Sequence, residues 1–215
     1  MPALEAVGDI EYDLLEPAEL DSMISLLAAV FSRGDPPAVA VGLSAIELQR
    51  LVSAFGPKVL AEELTVLARD ASTGSLLGAL LAEDFGTPPP SGVEESAPGF
   101  APIGALLDSL DRQYRASHTV VPGTHLHLFM LGVTEHASGR GIAGHLVNTC
   151  LANGKRRGYT VAVTEATGSI SQRVFRKLGF RSLLTEFYRD FLFNGKAVFS
   201  SIVGPEGTIL MEREL

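Results

Sequence analysis

The sequence predicts one α/β domain spanning residues 1–215, with a mixed, mainly antiparallel sheet of about seven strands flanked by helices. Three observations carry this. A strand, a helix and a second strand follow one another between His125 and Thr164, which implies a parallel crossover. Two apolar runs, Leu64–Ala68 and Leu76–Leu81, flank a short polar turn with glycine, which reads as an antiparallel hairpin. Two further strand-like stretches, Phe180–Phe191 and Thr208–Arg213, follow the last helical pattern.

The other elements follow in order. Ile10–Leu15 alternates as a short strand, and Leu20, Met23, Ile24, Leu27 and Phe31 mark one face of a helix. Gly34-Asp35-Pro36-Pro37 stops that helix and predicts a loop carrying Asp35. Ser44 with Glu47 has capping-box spacing and opens a helix that runs to Phe55, before Gly56-Pro57. Gly86–Pro98 is rich in Pro, Gly, Ser and Glu and reads as a flexible insertion. Ile103–Tyr114 has helical spacing. His125–Val133 is apolar on both faces and belongs at the sheet centre. Ile142, Leu146, Val147 and Leu151 lie on one helix face, Tyr159–Thr164 is a strand, and Ser171–Leu178 is a short helix stopped by Gly179.

Composition narrows the function. Seventeen basic against 25 acidic residues give a formal charge of −8, which disfavours a nucleic-acid partner. A single cysteine, Cys150, excludes an internal disulfide and any metal site built only of thiolates; in mid-helix without an adjacent cation it reads as an inert thiol. No histidine, cysteine or carboxylate spacing suggests a metal. The amino-terminal MPALEAVGDIEYD has no basic or apolar leader and no apolar run is long enough to span a bilayer, so the expectation is a cytoplasmic protein without a membrane partner.

Chemistry concentrates after the central strand. In Ser138-Gly139-Arg140-Gly141-Ile142-Ala143-Gly144 the glycines allow backbone N–H groups to approach a ligand, and the helix amino end favours an anion, which together suit a pyrophosphate. Gly139, Gly141 and Gly144 also spell G-x-G-x-x-G, with Glu165 at a spacing for a ribose contact. Against a dinucleotide fold stand the residues Thr134–Ser138, which separate the strand from the glycines, and the late position of the motif in the chain.

Leu131–Leu146 resembles the acyl-CoA-binding motif R/Q-x-x-G-x-G/A of the GNAT N-acyltransferases, with Gly141 and Ala143 at its small positions and Ser138 where Arg or Gln is usual. Val174-Phe-Arg-Lys-Leu-Gly-Phe180 is similar to the family's Y-x-K-L-G-F, with Phe175 in place of a tyrosine that protonates the leaving thiolate. The insect-type arylalkylamine (dopamine) N-acetyltransferases also lack that tyrosine, and the resemblance to them spans nearly the whole chain. Phe31-Ser-Arg-Gly-Asp35-Pro36-Pro37 looks like their F-x-x-x-E-P-L, Thr167 and Ser171 match their Thr/Ser cluster, and Phe187–Phe191 with Asn194–Phe199 is similar to their carboxy-terminal motif.

The resemblance implies a sheet splayed after the central strand, with acetyl-CoA as acyl donor between that strand and the next. The cofactor would meet Leu131, Gly132 and Val133, the turn residues Ser138 to Gly144, and Phe175. It implies acetylation of a small, arylalkyl amine by direct transfer through a tetrahedral intermediate. Such a reaction needs a neutral amine, hence a proton acceptor. Asp35, at the position of the subfamily's glutamate, is one candidate. His127 is the other: it matches the first histidine of the H-x-H in vertebrate serotonin N-acetyltransferases, and period-two geometry puts His125, His127, Phe129 and Leu131 on one face. Ser171 is the candidate donor to the thiolate. A homodimer and a non-catalytic acyl-CoA-binding module stay open.

Overall fold

The computed structural model describes residues 4–215. Pairing starts earlier than the alternation at Ile10 suggests: Glu5–Val7 (β1) and Ile10–Leu14 (β2) form a hairpin whose turn is made by Gly8 at φ +61°. Helix α1 (Leu20–Gly34) buries Met23, Ile24, Leu26, Leu27 and Ala28. The loop expected around Asp35 is a joint of a single residue. Asp35 is extended, at φ −82° and ψ 119°, and caps a second helix, α2 (Pro36–Val41), because two prolines at the start of a helix have no N–H to waste there.

Helix α3 (Ala45–Glu62) begins on the Ser44/Glu47 box but does not stop at Phe55. It runs through Gly56-Pro57, and the burial of Phe55 and Val59 on one continuous face offsets a proline penalty of about 3 kcal/mol. The expected hairpin is present as β3 (Val66–Asp70) and β4 (Leu76–Asp84), its turn tied by backbone N–H groups of Ser72 and Thr73 donating to the Asp70 carboxylate. The 86–98 stretch contains one helical turn, α4 (Val93–Ser96), followed by a buried Ala97. Then come α5 (Ala101–Ser117), β5 (His125–Val133), α6 (Ile142–Arg156), β6 (Val161–Ala166), α7 (Ser169–Lys177), β7 (Arg181–Phe187) and β8 (Gly207–Glu214). The strand expected over Phe180–Phe191 ends at Phe187, where the chain turns.

The eight strands lie in the order β1-β2-β3-β4-β5-β6-β8-β7, and β5 with β6 is the parallel pair. Helices α1, α2, α3 and α5 cover one face; α6 and α7 cover the other. Two features of β5 build the functional region. Its pairing with β6 covers only His125, Leu126 and His127, after which the Thr164 hydroxyl donates to the Leu128 carbonyl and the strands part. On its other edge, Leu81 pairs with Met130 but Ala82 with Leu128, so Phe129 is the extra residue of a β-bulge.

That bulge reverses which face each parity meets. Leu126 and Leu128 pack under α6, and so do Leu131 and Val133 beyond the bulge, whereas Phe129 and Met130 both pack on the α1/α3 side. The expectation that His127, Phe129 and Leu131 share one face therefore holds for the first two and fails for Leu131, because one inserted residue shifts the period by one.

A methyl group on Gly86 would lie 2.4 Å from the Val121 carbonyl carbon and 2.5 Å from the Pro122 nitrogen. Gly86→Ala should therefore cost about 1–3 kcal/mol, read as a lowered denaturant midpoint. An unchanged midpoint would mean that the 86 and 121–122 segments are not held together in solution.

Candidate active site

Where β5 and β6 separate, a partly open cavity forms. Its body is apolar, formed by Phe31, Leu48, Phe100, Ile103 and Phe129, and its polar lining is Asp35, Thr164, Glu165, Thr167 and Ser171. The folding logic is local. The joint between α1 and α2 sets Asp35 over the end of β6. Glu165 and Thr167 project from that end two residues apart, on one side of the strand, and α7 brings Ser171 to the same rim.

Asp35 uses both carboxylate oxygens. Oδ2 accepts the Ala38 N–H at 3.0 Å, and Oδ1 accepts the Thr167 hydroxyl at 2.5 Å. Burial outweighs these bonds and raises the Asp35 carboxyl above its ordinary range. A carboxylate shifted in that direction is better matched to taking a proton near neutrality than a solvated one. The backbone of Thr167 is fixed in turn by the Tyr188 hydroxyl, which donates to its carbonyl at 2.7 Å. Ser171 Oγ donates to the Gly168 carbonyl at 2.9 Å and accepts the Gly168 N–H at 3.2 Å. Phe175 is buried against Phe180 and presents an apolar ring to the cavity floor.

His127 is differently placed from the expectation of an open cleft. Its ring is buried between two carboxylates, Nδ1 at 3.0 Å from Glu83 Oε1 and Nε2 at 2.7 Å from Glu165 Oε2. Burial alone would lower its pKa, but Glu165 and Glu83 reverse the sign and push it up to about 10. Both ring nitrogens are engaged by carboxylates and His127 does not line the cavity, so this geometry gives it no direct contact with an incoming amine. His125, its neighbour along the strand, contacts Thr124 and the Tyr114 ring, and burial pulls its pKa down.

The glycine turn has the shape its composition predicts. Gly139 and Gly141 have φ of +80° and +79°, and Ser138 to Gly141 are exposed. Ser138 N–H is used locally by Glu135, but among the described residues the N–H groups of 139–143 donate to no acceptor, so the amino end of α6 presents a run of free donors. Gly144 N–H donates to the Gly141 carbonyl as part of the first turn, so it contributes helix geometry, not a donor. The Arg140 guanidinium is bonded to Asp9 at 2.8 Å, tethering the turn to the β1–β2 hairpin. Leu131 lines the cavity, while Gly132 lies against α1, where a methyl group would come within 3.0 Å of Leu27. Past Leu128 the β6-facing edge of β5 has no partner strand, so its amides and carbonyls are open to a ligand.

Residues 99–180 match the model of the acetyltransferase (GNAT) family. The same architecture recurs across nearly the whole chain in solved structures. Arylalkylamine N-acetyltransferase 2 from Aedes aegypti superposes with a TM-score of 0.79 at 22% identity, covering 96% of this chain and 99% of that one. This is the GNAT acetyltransferase fold. The condensation domain of Ebony, in complex with β-alanyl-dopamine, has a TM-score of 0.88 at 15% identity over 96% and 99% of the two chains. The Drosophila melanogaster polyamine N-acetyltransferase, which forms N-acetylagmatine, gives 0.73 at 23% identity over 96% and 100%. The chain thus resembles the insect arylalkylamine N-acetyltransferases within the GNAT fold. The dinucleotide reading falls: the sheet is mainly antiparallel, and Glu165, weighed as a ribose contact, is bonded to His127 inside the cavity.

Among the described residues no cluster of ligating side chains could hold a metal, and no helix is long and apolar enough to cross a membrane. Cys150 is buried, and burial pushes its thiol up to about 12, which leaves it unreactive. Sequence reasoning missed Glu165 as a cavity group, and Glu83 as the partner of His127 behind it. The period of two from Thr167 back to Glu165, and the hairpin strand that sets Glu83 opposite His127, were the signals available.

The His127 ion pairs also govern stability. A group whose pKa rises from 6.5 to about 10 on folding contributes stability that is complete below about pH 6.5 and lost as pH climbs through the folded value. The melting temperature should fall between pH 7 and pH 10, and His127→Gln should flatten that slope while costing about 3 kcal/mol at pH 7. A parallel slope in the variant would mean that His127 is neutral in the folded protein.

Proposed function

We propose that this chain transfers an acyl group, acetyl foremost, from a coenzyme A thioester to a primary amine with an apolar, arylalkyl body. The observation that carries the reading is the meeting, at one fork of the sheet, of an unpaired β5 edge, a run of free N–H groups at 139–143 and a buried carboxylate with a raised pKa, Asp35. Acetyl-CoA, when bound, supplies the acyl group as an activated thioester. The residues that would hold it are those with unused donors: the amides of 139–143 for the diphosphate, and the open edge of Leu131–Val133 for the pantetheine amides and the thioester carbonyl.

The chain's own groups then divide the work. Asp35 takes a proton from the incoming ammonium, directly or through a water, and Thr167 holds its carboxylate in register by donating to Oδ1. The aromatic wall of Phe31, Phe100 and Phe129 excludes water and accommodates an apolar substrate body. Phe175 cannot donate a proton, and the Ser171 hydrogen is directed at Gly168, so departure of the thiolate relies on solvent or on a turn of the Ser171 hydroxyl.

The defining measurement is thiol release from acetyl-CoA across arylalkylamines, polyamines and amino acids, with turnover expected for arylalkylamines. Binding of acetyl-CoA without thiol release on any amine would establish the non-catalytic module, a reading that Ser138, Phe175 and the aspartate at position 35 favour. Asp35→Asn should lower kcat about 100-fold or more with the acetyl-CoA KM unchanged. Wild-type activity in that variant would remove Asp35 from the chemistry. Gly141→Val puts a branched side chain at φ +79° beside the free amides and should raise the acetyl-CoA KM at least about tenfold. An unchanged KM would relocate the diphosphate.

A further inference from the structure

The buried charges beside the cavity form an ordered row. Lys58 Nζ lies 2.6 Å from Glu83 Oε2, Glu83 Oε1 lies 3.0 Å from His127 Nδ1, and His127 Nε2 lies 2.7 Å from Glu165 Oε2. The signs alternate: plus, minus, plus, minus. All four side chains are largely withdrawn from water, and Glu165 retains 6% side-chain exposure. A row of this kind is no gain over well-packed apolar residues for stability alone, since each ion is stripped of solvent. What distinguishes it is where it ends. Glu165 is the terminal member and lines the apolar cavity, and its second oxygen, Oε1, accepts no hydrogen bond among the described residues.

We infer that Glu165 is the docking carboxylate for the substrate ammonium, and that His127, Glu83 and Lys58 are positioning residues that hold it in place and aimed into the cavity. The inference rests on the amine-acyltransferase reading above and assigns that site a second acidic group with a separate task. In an alternating row, the place beyond a terminal anion is filled most favourably by a cation. Asp35 is ill suited to that first encounter, because both its oxygens already accept protein donors. Glu165 has an oxygen to spare, and the charged imidazole behind it keeps its carboxylate from drifting. The amine would arrive charged at Glu165 and give up its proton at Asp35, two groups joined through neighbouring residues of one strand end, Glu165 and Thr167.

The test compares binding of 2-phenylethylamine with that of the neutral 2-phenylethanol by calorimetry, in the presence of CoA. Wild-type protein should prefer the amine at least about tenfold, the size expected of one hydrogen bond between charged groups. Glu165→Gln should abolish the preference with CoA affinity unchanged, whereas Asp35→Asn should keep it. Because Glu165→Gln leaves His127 charged beside a neutral partner, the double variant Glu165→Gln/His127→Gln serves as a second reading and should show the same loss. His127→Gln alone should raise the amine KM and leave the acetyl-CoA KM alone. No binding of the amine to wild type, a preference that survives Glu165→Gln in both backgrounds, or a preference lost in Asp35→Asn would overturn the assignment. Since binding is read without turnover, failure of thiol release would strike the catalytic reading and leave this result to stand or fall separately.

Discussion

The early end of hydrogen bonding between β5 and β6 is the constraint on which the rest of this protein depends. Parallel strands normally exchange bonds along their length, and here they do so only from His125 to His127. The candidate site occupies the space that follows: the cavity, the open β5 edge, and the turn that leads into α6. The bulge at Phe129 contributes to the same end by swinging the aromatic ring to the α1/α3 side and returning Leu131 to the opposite one. A strand with unbroken alternation could not line the cavity with Phe129 and also pack Leu131 and Val133 beneath α6.

Around that opening the protein spends burial on charge in two different ways. Asp35 is a lone carboxylate whose environment disfavours the anion, moderated by one hydroxyl and one amide. Glu83, Glu165, His127 and Lys58 are mutually compensated, so that His127 is held as a cation and the Glu83 carboxyl lies below its usual range despite burial. One arrangement leaves a lone carboxyl raised by burial; the other sets each buried charge against one of opposite sign. In the proposed reaction, this separation would let two carboxylates share a cavity without competing for one role.

Most of the fold could be read from the residues. The crossover from His125 to Thr164, the hairpin of Leu64–Leu81 and the glycine turn were all set by local patterns that tertiary contacts do not override. Elements were misread where a longer-range contact decides. α3 passes through Pro57 because its buried face continues, and the β1 strand exists because β2 offers it an edge. The candidate site was legible in part. Asp35, Ser171 and the glycines were visible, but the state of His127 was not, since it depends on Glu83 from a neighbouring strand and Glu165 from a strand on the other side. A single inserted residue in β5 also defeats any argument from alternation alone.

The joint at Asp35 couples chemistry to architecture. The residue that links α1 to α2 also pins the amino end of α2 and, through Thr167, fastens that helix to the sheet. Aspartate suits such a post better than the longer glutamate, whose extra carbon makes it a poorer cap. When the carboxyl gains a proton, it surrenders acceptor capacity to the very donors that moor α2. In the proposed reaction, the proton taken from the ammonium would thus slacken one wall of the chamber before the amide forms, so that the step that frees the amine also loosens the contact between α2 and the sheet.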